Sequence, residues 1–426
     1  MQLSNSGRVV VIDDLFDEAK PLIETFGRKS IPYLYYDGSS VNLPDNPPEG
    51  IRFVFLDIEL SGMEGLDDKT KASGLTARLL KIISKNNGPY VIVFWTKHKE
   101  IIEQVIDNCK AKSIAPVVWL DMEKTECIDN NDGTYDIQKI TDSLQEKLLG
   151  VGAFHLYVEW ENIVNNSTKL FISEFSSFVP YGENWSNETS ELFYNLYKTY
   201  VEKNEIEDSK ERIKCACYLM NRSFLDTLEI LTCNDLSIPD NFKLTGGHIS
   251  EDTKAKLNTS LFIDNNPISP PSTGCVFINE DEKTQKALNK HLFKNDNYPE
   301  ESVLCIVIIT PECDIAQNKA VKVSDAEEKE FILHRVVYGL LYPIKDDFKA
   351  EKQKLHDRGK DSQYIIGPLW YKERRYLLIV HLSIISFFPE YDLPEKVEFS
   401  LKRDLLFDLQ SKAANHVNRL GNYMVK

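Results

Sequence analysis

The sequence predicts a mixed α/β protein whose N-terminal part is an open five-stranded parallel sheet. Short, almost continuously apolar runs recur along residues 8–125, and stretches with helical spacing of apolar residues lie between them. Continuous apolar strands are typical of parallel sheets that helices cover on both faces. A helical segment and then a C-terminal α+β or β-barrel-like domain are expected to follow.

Each predicted strand of the N-terminal part is bounded by polar or turn-forming residues. The second strand, for example, ends at the turn Gly38-Ser39-Ser40. In open sheets of this kind, functional residues gather at the carboxyl ends of the strands. The predicted strands are residues 8–14, 31–37, 52–60, 90–96 and 115–122, and the predicted helices are residues 15–26, 75–84 and 100–112.

The sequence pattern changes near residue 136 and the composition changes near residue 236, which predicts three domains. Residues 136–235 lose the strand signal and carry helical patterns, so we expect a helical linker or dimerisation domain there. Residues 236–426 are richer in Pro, Gly, Asn and Ser and predict an α+β domain, whereas residues 1–135 contain the parallel sheet. The helical patterns cover 137–149, 153–164, 170–178, 191–201 and 213–231; the C-terminal strands cover 274–279, 303–310, 331–341, 364–369, 376–382 and 396–400, and a final helix covers 404–416.

The composition is that of an ordinary globular protein and argues against several classes of partner. The 426 residues include 66 acidic and 50 basic ones, which gives a formal net charge of -16. Nucleic acids and anionic membranes are bound chiefly through excess Lys and Arg, so a broad surface for either is not expected. No signal-peptide pattern is visible and the apolar runs are far shorter than a membrane span, which predicts a cytoplasmic location. The eight scattered cysteines are expected to be reduced thiols.

Three carboxylates stand at the ends of strands that the fold is expected to bring together. Asp13 and Asp14 close the first predicted strand, and Asp57 closes the third. If these strands are neighbours, the carboxylates converge at one edge of the sheet, where their repulsion favours a hard cation such as Mg²⁺. A carboxylate beside such an ion can attack a phosphoryl group. Thr96 at the end of the fourth strand, and a Lys after the fifth, can each contact a phosphoryl oxygen.

One short segment of the sequence resembles a known family. Residues 57–65 read DIELSGMEG, and the receiver domains of two-component response regulators carry Asp-x-x-Met-Pro-x-Met-Asp-Gly at this place. Met63 and Gly65 keep the family pattern, whereas Ser61 stands in place of Pro. The acidic pair, the strand order and the Thr after the fourth strand also match. The resemblance covers residues 8–125 and implies a flavodoxin-like receiver domain.

The resemblance implies a role for each of these polar residues. Asp57 would be the phosphoacceptor. Asp13 and Asp14 would hold Mg²⁺, directly or through water, and the backbone carbonyl of Glu59 would complete the metal shell. Thr96 would be the switch residue, whose hydroxyl turns toward the phosphate.

Three further features depart from the family pattern. The lysine that pairs with the phosphate is expected at Lys124, but Thr125 follows it where the family has Pro. Lys97 follows the switch threonine, where the family has a small residue. Its long side chain would cover the site and slow phosphate loss, or would itself supply the phosphate-pairing amine. Residues 65–73, GLDDKTKAS, read as an acidic insertion and are expected to form a solvated loop beside the acceptor.

These roles predict a phosphorylation-controlled signalling protein. Asp57 would accept phosphate from a histidine kinase-like or GHKL ATPase partner, or from a small phosphodonor. The resulting shift between two states would pass to a C-terminal effector that does not bind DNA. Divergent receivers with long unclassified tails are also known from bacterial phage-defence operons, and this looser resemblance suggests a defence or stress setting.

Two functions of other classes stay open at the level of sequence. In the first, a pseudo-receiver scaffold binds a partner ATPase or kinase without being phosphorylated. In the second, the C-terminal domain is an enzyme in which Cys313 acts as a nucleophile with His334, although a cysteine after a strand is more often a packed small residue. A homodimer formed through the helical segment is also left open.

Overall fold

The structure, a computed structural model, divides the chain into two compact units. One unit contains residues 1–185 and 220–245, and the other contains residues 186–219 and 246–426. The division into domains 1–135, 136–235 and 236–426 stays a prediction. The residues that the structure describes are 8–95, 100–123, 139–140, 142, 146, 152–201, 205–236, 243–244, 246–266, 272–279, 301–316, 321–324, 330–344 and 362–417.

The first unit contains the five-stranded parallel sheet that the sequence predicts. The strand order is β2-β1-β3-β4-β5, the order of flavodoxin-like sheets, and every neighbouring pair is parallel. Its strands are β1 (Arg8–Ile12), β2 (Tyr33–Tyr36), β3 (Ile51–Leu56), β4 (Val91–Trp95) and β5 (Val118–Met122), and its helices are α1 (Phe16–Arg28), α2 (Asp68–Ile82), α3 (Ile102–Ala111) and α4 (Gly152–Ser177).

Helices cover both faces of this sheet, which explains why its strands are almost continuously apolar. Helices α2 and α3 pack on one face through residues such as Leu75 and Val105, both fully buried. Helix α1 packs on the other face through Phe26, and the first turns of α4 share that core. Phe154 of α4 meets Phe53 of β3 edge to face, with ring centroids 5.5 Å apart.

Two helices of this unit differ from their predicted bounds. The segment 65–73, expected as a solvated loop, is helical from Asp68 onward, because the side chain of Asp67 caps the helix by accepting the N–H of Thr70 at 3.1 Å. The patterns predicted as separate helices at 153–164 and 170–178 belong to the single helix α4. The polar stretch between them stays helical, and the buried Ser167 there donates its hydroxyl to the Ile163 carbonyl at 2.8 Å.

The second unit contains a curled antiparallel sheet, as the predicted α+β or barrel-like class requires. Its strand order is β11-β12-β10-β8-β7-β13-β6, with β9 paired to β10. Its strands are β6 (Ile263–Asp264), β7 (Cys275–Ile278), β8 (Val303–Ile308), β9 (Lys322–Ser324), β10 (Glu330–Pro343), β11 (Gln363–Tyr371), β12 (Arg374–Pro389) and β13 (Phe399–Leu401), and further helices within the described residues are α5 (Trp185–Val201), α6 (Ser209–Asp235), α7 (Glu251–Phe262), α8 (Glu312–Ala316) and α9 (Arg403–Val417).

Helix α7 lies in a region where the sequence predicts only short strands. Its N-terminus is capped by Ser250, whose hydroxyl accepts the N–H of Thr253 at 3.0 Å. Ala255 and Thr259 are buried, whereas Leu257 and Leu261 are exposed, so the helix shows no clear apolar stripe in sequence. Among the described residues, no helix is both long and apolar enough to cross a bilayer.

An ion pair of limited exposure attaches α4 to the first residues of β3. Arg52 donates from Nε and Nη2 to the two carboxylate oxygens of Glu161, at 2.8 and 3.0 Å. Its Nη1 also donates to the carbonyls of Ile51 and Asn87, each at 3.0 Å. The two charged side chains are only 14% and 24% exposed. A two-pronged pair with this little exposure is stronger than a surface salt bridge.

Replacing Glu161 should loosen the sheet beside α4. In Glu161→Ala, the enclosed Arg52 guanidinium loses its carboxylate, and losing hydrogen bonds to a charged group costs about 1.5–3 kcal/mol. Native-state hydrogen exchange of the β3 amides should therefore become faster. Glu24→Ala is the matched control, because Glu24 pairs with Arg28 on the exposed face of α1 and that pair contributes less than about 1 kcal/mol. Equal β3 exchange rates in the two variants would contradict the anchoring role.

Candidate functional site

The carboxyl ends of β1 and β3 lie side by side and carry the predicted acidic residues. Ile12 pairs with Leu56 at the last step of the parallel register. The N–H of Asp57 then donates to the Ile12 carbonyl at 2.9 Å, and the N–H of Asp13 donates to the Tyr36 carbonyl of β2 at 3.1 Å. These bonds hold both chain exits at the same edge of the sheet.

Two side chains turn the backbone away from the sheet directly after these strands. Asp13 Oδ1 accepts the N–H of Leu15 at 3.0 Å, and Asp57 Oδ1 accepts the N–H of Glu59 at 3.0 Å. Aspartate favours such turns because its short carboxylate reaches the backbone two residues further on. For this reason the strands end before the aspartates, earlier than the predicted bounds of 14 and 60.

Asp13, Asp14 and Asp57 form one cluster. A carboxylate oxygen from each lies within 4.8 Å of the others. Asp13 is 1% exposed and Asp57 is 7% exposed, whereas Asp14 is half-buried. The convergence predicted from the order of the strands is therefore present.

The two oxygens of Asp14 have different surroundings. Oδ2 accepts the backbone N–H of Ser61 at 2.9 Å and also the Ser61 hydroxyl. Oδ1 is buried and has no hydrogen-bond partner among the described residues. A buried carboxylate oxygen without a partner is costly in an apolar or dry environment, and a bound cation removes that cost.

Arg78 and Tyr35 shape the electrostatics around the cluster. Arg78 donates to the carbonyls of Gly38 and Gly74, and burial lowers the pKa of its guanidinium while the charge of Asp14 opposes that shift. The Tyr35 hydroxyl donates to the backbone carbonyl of Asp13 at 2.7 Å. Burial, together with the neighbouring aspartates, raises the pKa of Tyr35, so the hydroxyl remains a proton donor.

The ligand atoms of the aspartate cluster fit a hard divalent cation. All the clustered ligand atoms are carboxylate oxygens, the type that Mg²⁺, Ca²⁺ and Mn²⁺ prefer. The cluster can therefore bind a metal ion, and a carboxylate at its centre can act as a nucleophile once the repulsion is screened. Mg²⁺ as the specific ion stays a prediction.

Of the remaining predicted site residues, the structure describes Glu59. The side chain of Glu59 is exposed and its N–H contacts Asp57, while the metal-binding role of its carbonyl stays a prediction. Thr96, Lys97 and Lys124 lie outside the described residues. The switch and phosphate-pairing roles therefore also stay predictions.

Three contacts of the site were not anticipated from the sequence. Ser61 was visible only as a departure from the family pattern, and its hydrogen bonds to Asp14 give that departure a physical meaning. Tyr35 lies on a strand of ordinary apolar character, and Arg78 lies on α2, far from the acids in sequence. No local sequence pattern indicates that Tyr35 or Arg78 contacts the site.

The geometry gives no support to a Cys313–His334 pair. Cys313 is exposed, and its Sγ lies 3.8 Å from Asp314 Oδ1. In β10, Arg335 reaches toward Asp314 at 4.0 Å, so the preceding His334 points to the opposite face of the strand. His334 is 1% exposed, and neither of its ring nitrogens has a hydrogen-bond partner within the described part of the chain.

Comparisons with known proteins add no family assignment: no family model matches the chain, and no curated protein matches it. The five-stranded parallel sheet with its aspartate cluster is consistent with a receiver-like fold. This agreement rests on the strand order and on the acidic edge of the sheet.

Divalent cations should stabilise the protein through the aspartate cluster. At a Mg²⁺ concentration of about 100 times the dissociation constant, binding to the native state alone adds about 2.7 kcal/mol. The unfolding temperature should rise with Mg²⁺ and fall back when a chelator is added. Asp14→Asn should lose this response and should be no less stable without metal, because one of three repelling charges is gone.

Asp37→Asn is the matched control for this experiment. Asp37 follows the neighbouring strand β2, but its carboxylate accepts from Ser39 and Asn42 and is not part of the cluster. This variant should keep the full Mg²⁺ response. A response that survives in Asp14→Asn, or that is lost in Asp37→Asn, would place the ion elsewhere.

The buried His334 should make stability depend on pH. Burial lowers its pKa from the ordinary value of 6.5, and the nearby Glu390 opposes this shift more weakly. The imidazole of His334 thus binds a proton more readily in the unfolded chain than in the folded one. The stability associated with the neutral buried imidazole is fully present above pH 6.5 and is lost as the pH falls below that value.

His334→Leu should remove this loss. Its unfolding temperature relative to wild type should increase as the pH is lowered from about 7.5 to about 5.5. His248→Leu, at an exposed histidine, should keep the wild-type pH dependence. Parallel pH curves for wild type and His334→Leu would contradict a neutral buried imidazole.

Proposed function

We propose that the chain is a phosphorylation-controlled signalling protein of the response-regulator type, in which Asp57 accepts a phosphoryl group. The observation that carries the proposal is the aspartate cluster, whose ligand oxygens lie within 4.8 Å of one another at the carboxyl edge of the parallel sheet. Three like charges this close destabilise a fold unless a cation compensates them. Oδ1 of Asp14, which is buried without a hydrogen-bond partner in the described part of the chain, supports Mg²⁺ as a resident of the same site.

The chemistry needs one nucleophile and a screened charge. Mg²⁺ would supply positive charge against the phosphoryl oxygens during transfer. A carboxylate oxygen of Asp57 attacks phosphorus and forms a new P–O bond, while the bond from phosphorus to the donor breaks and its electron pair leaves with the donor. The contact from the Glu59 N–H holds the Asp57 carboxylate for this attack. Thr96 and either Lys124 or Lys97 are proposed to contact the transferred oxygens.

The partners and the output follow from the same proposal. A histidine kinase-like or GHKL ATPase protein, or a small phosphodonor, supplies the phosphoryl group, in a bacterial defence or stress setting. Strand β3 carries Arg52 near its start and is followed by Asp57, and Arg52 holds Glu161 of α4. A displacement of β3 is therefore proposed to reach α4 and, beyond it, the C-terminal effector.

Phosphoryl transfer can be tested directly with acetyl phosphate and Mg²⁺. Intact-protein mass spectrometry should show the addition of one phosphoryl group to the wild type and none to Asp57→Asn. Omitting Mg²⁺ should also abolish the addition. Beryllofluoride with Mg²⁺, which imitates the phosphoryl group, should raise the unfolding temperature of the wild type more than Mg²⁺ alone and should not do so in Asp57→Asn.

Asp37→Asn again serves as the control, and it should be labelled like the wild type. Labelling that persists in Asp57→Asn would move the acceptor to another residue. A protein that binds Mg²⁺ but gains neither phosphate nor a beryllofluoride response would fit the pseudo-receiver scaffold instead.

A further inference from the structure

Ser61 makes two contacts with Asp14 that a proline at this position cannot make. Its backbone N–H donates to Asp14 Oδ2 at 2.9 Å, and its hydroxyl donates to the same oxygen. Proline has neither an N–H nor a hydroxyl. Asp14 Oδ2 thus receives two donors, while Oδ1 of the same carboxylate is buried and receives none from the part of the chain that the structure describes.

The turn that contains Ser61 does not itself require a serine. The N–H of Met63 donates to the Leu60 carbonyl at 3.1 Å, which closes a four-residue turn with Ser61 second and Gly62 third. Gly62 has a φ of 82°, the left-handed value that a type II turn needs at its third position. Proline is common at the second position of such turns. The donors of Ser61 therefore serve Asp14 rather than the turn.

We infer that Ser61 is a positioning residue for the cation that the proposed function requires. Two donors on Oδ2 fix the rotation of the Asp14 carboxylate, so Oδ1 is left for the ion. The same donors delocalise charge from Oδ2 and weaken the repulsion among the three aspartates before an ion binds. The inference rests on the proposed function, because both concern the same acidic cluster.

Hydrogen bonds to a metal-ligating side chain commonly have a large effect on metal affinity. Groups that hydrogen-bond a ligating carboxylate orient it, and replacing them typically weakens metal binding by about 10–100-fold. Ser61 is itself exposed, so water can replace its hydroxyl in part, whereas the backbone N–H is lost only in a proline variant. The effect should therefore grow from Ser61→Ala to Ser61→Pro.

Manganese binding to the full chain tests the inference without depending on phosphorylation. Mn²⁺ takes carboxylate oxygen ligands as Mg²⁺ does, and electron paramagnetic resonance distinguishes its free form from its bound form. Ser61→Pro should bind Mn²⁺ about 10–100-fold more weakly than the wild type, and Ser61→Ala should show a smaller loss. Ser61→Thr keeps both donors and should restore near-wild-type affinity. Ser73→Ala is the matched control, because the Ser73 hydroxyl donates to the Lys69 carbonyl on α2.

The melting temperature without metal separates positioning from folding. Proline suits the second position of this turn, and that gain opposes the loss of the two donors to Asp14, so metal-free Ser61→Pro should stay folded and melt close to the wild-type temperature. A metal-free Ser61→Pro that no longer folds would mean that the residue acts through the turn and would overturn the inference. Wild-type Mn²⁺ affinity in Ser61→Pro, or affinity as weak in Ser61→Thr as in Ser61→Ala, would also overturn it while leaving the metal site intact. Absence of Mn²⁺ binding by the wild type would instead reject the proposed function.

Discussion

The parallel adjacency of β1 and β3 is the constraint on which the acidic site depends. Ile12 pairs with Leu56, so the residues after both strands leave the sheet at the same edge. Antiparallel neighbours would direct consecutive strand ends to opposite edges. The meeting of Asp13, Asp14 and Asp57 is thus a consequence of strand order and direction, and the apolar faces that select this order indirectly select the site.

Short polar contacts offset part of the repulsion that this adjacency creates. Backbone N–H groups two residues after Asp13 and Asp57 donate to their side chains, and Ser61 donates twice to Asp14. These donors are neutral, so they distribute the negative charge without cancelling it. The guanidinium of Arg78 interacts electrostatically with Asp14, yet its hydrogen bonds go to backbone carbonyls. Carboxylates held by neutral donors keep their charge, and that charge favours a divalent ion.

The segment after β8 in the second unit is held by a different polar arrangement. Glu312 accepts hydrogen bonds from the hydroxyls of Tyr200 and Tyr218, at 3.0 and 2.5 Å. Burial and the charge of Glu312 raise the pKa of Tyr200, so it stays protonated as a donor. Two hydroxyls on one carboxylate fasten the start of α8 to α5 and α6. Cys313, next to this carboxylate, is accordingly part of an anchored turn, which agrees with a structural role for the segment.

The sequence by itself determined the order of the strands in the parallel sheet and the acids at the ends of β1 and β3, whereas helix α7 gave no clear signal. Burial on both faces of a sheet leaves a continuous apolar run, a signal contained within each strand. Only the tertiary structure decided which polar groups meet. Ser61 and Asp14 are 47 residues apart, and Arg52 and Glu161 are 109 residues apart, so no local pattern links them. Apolar burial is a property that each segment shows alone, whereas a hydrogen bond between distant side chains exists only once the whole chain has fixed their positions.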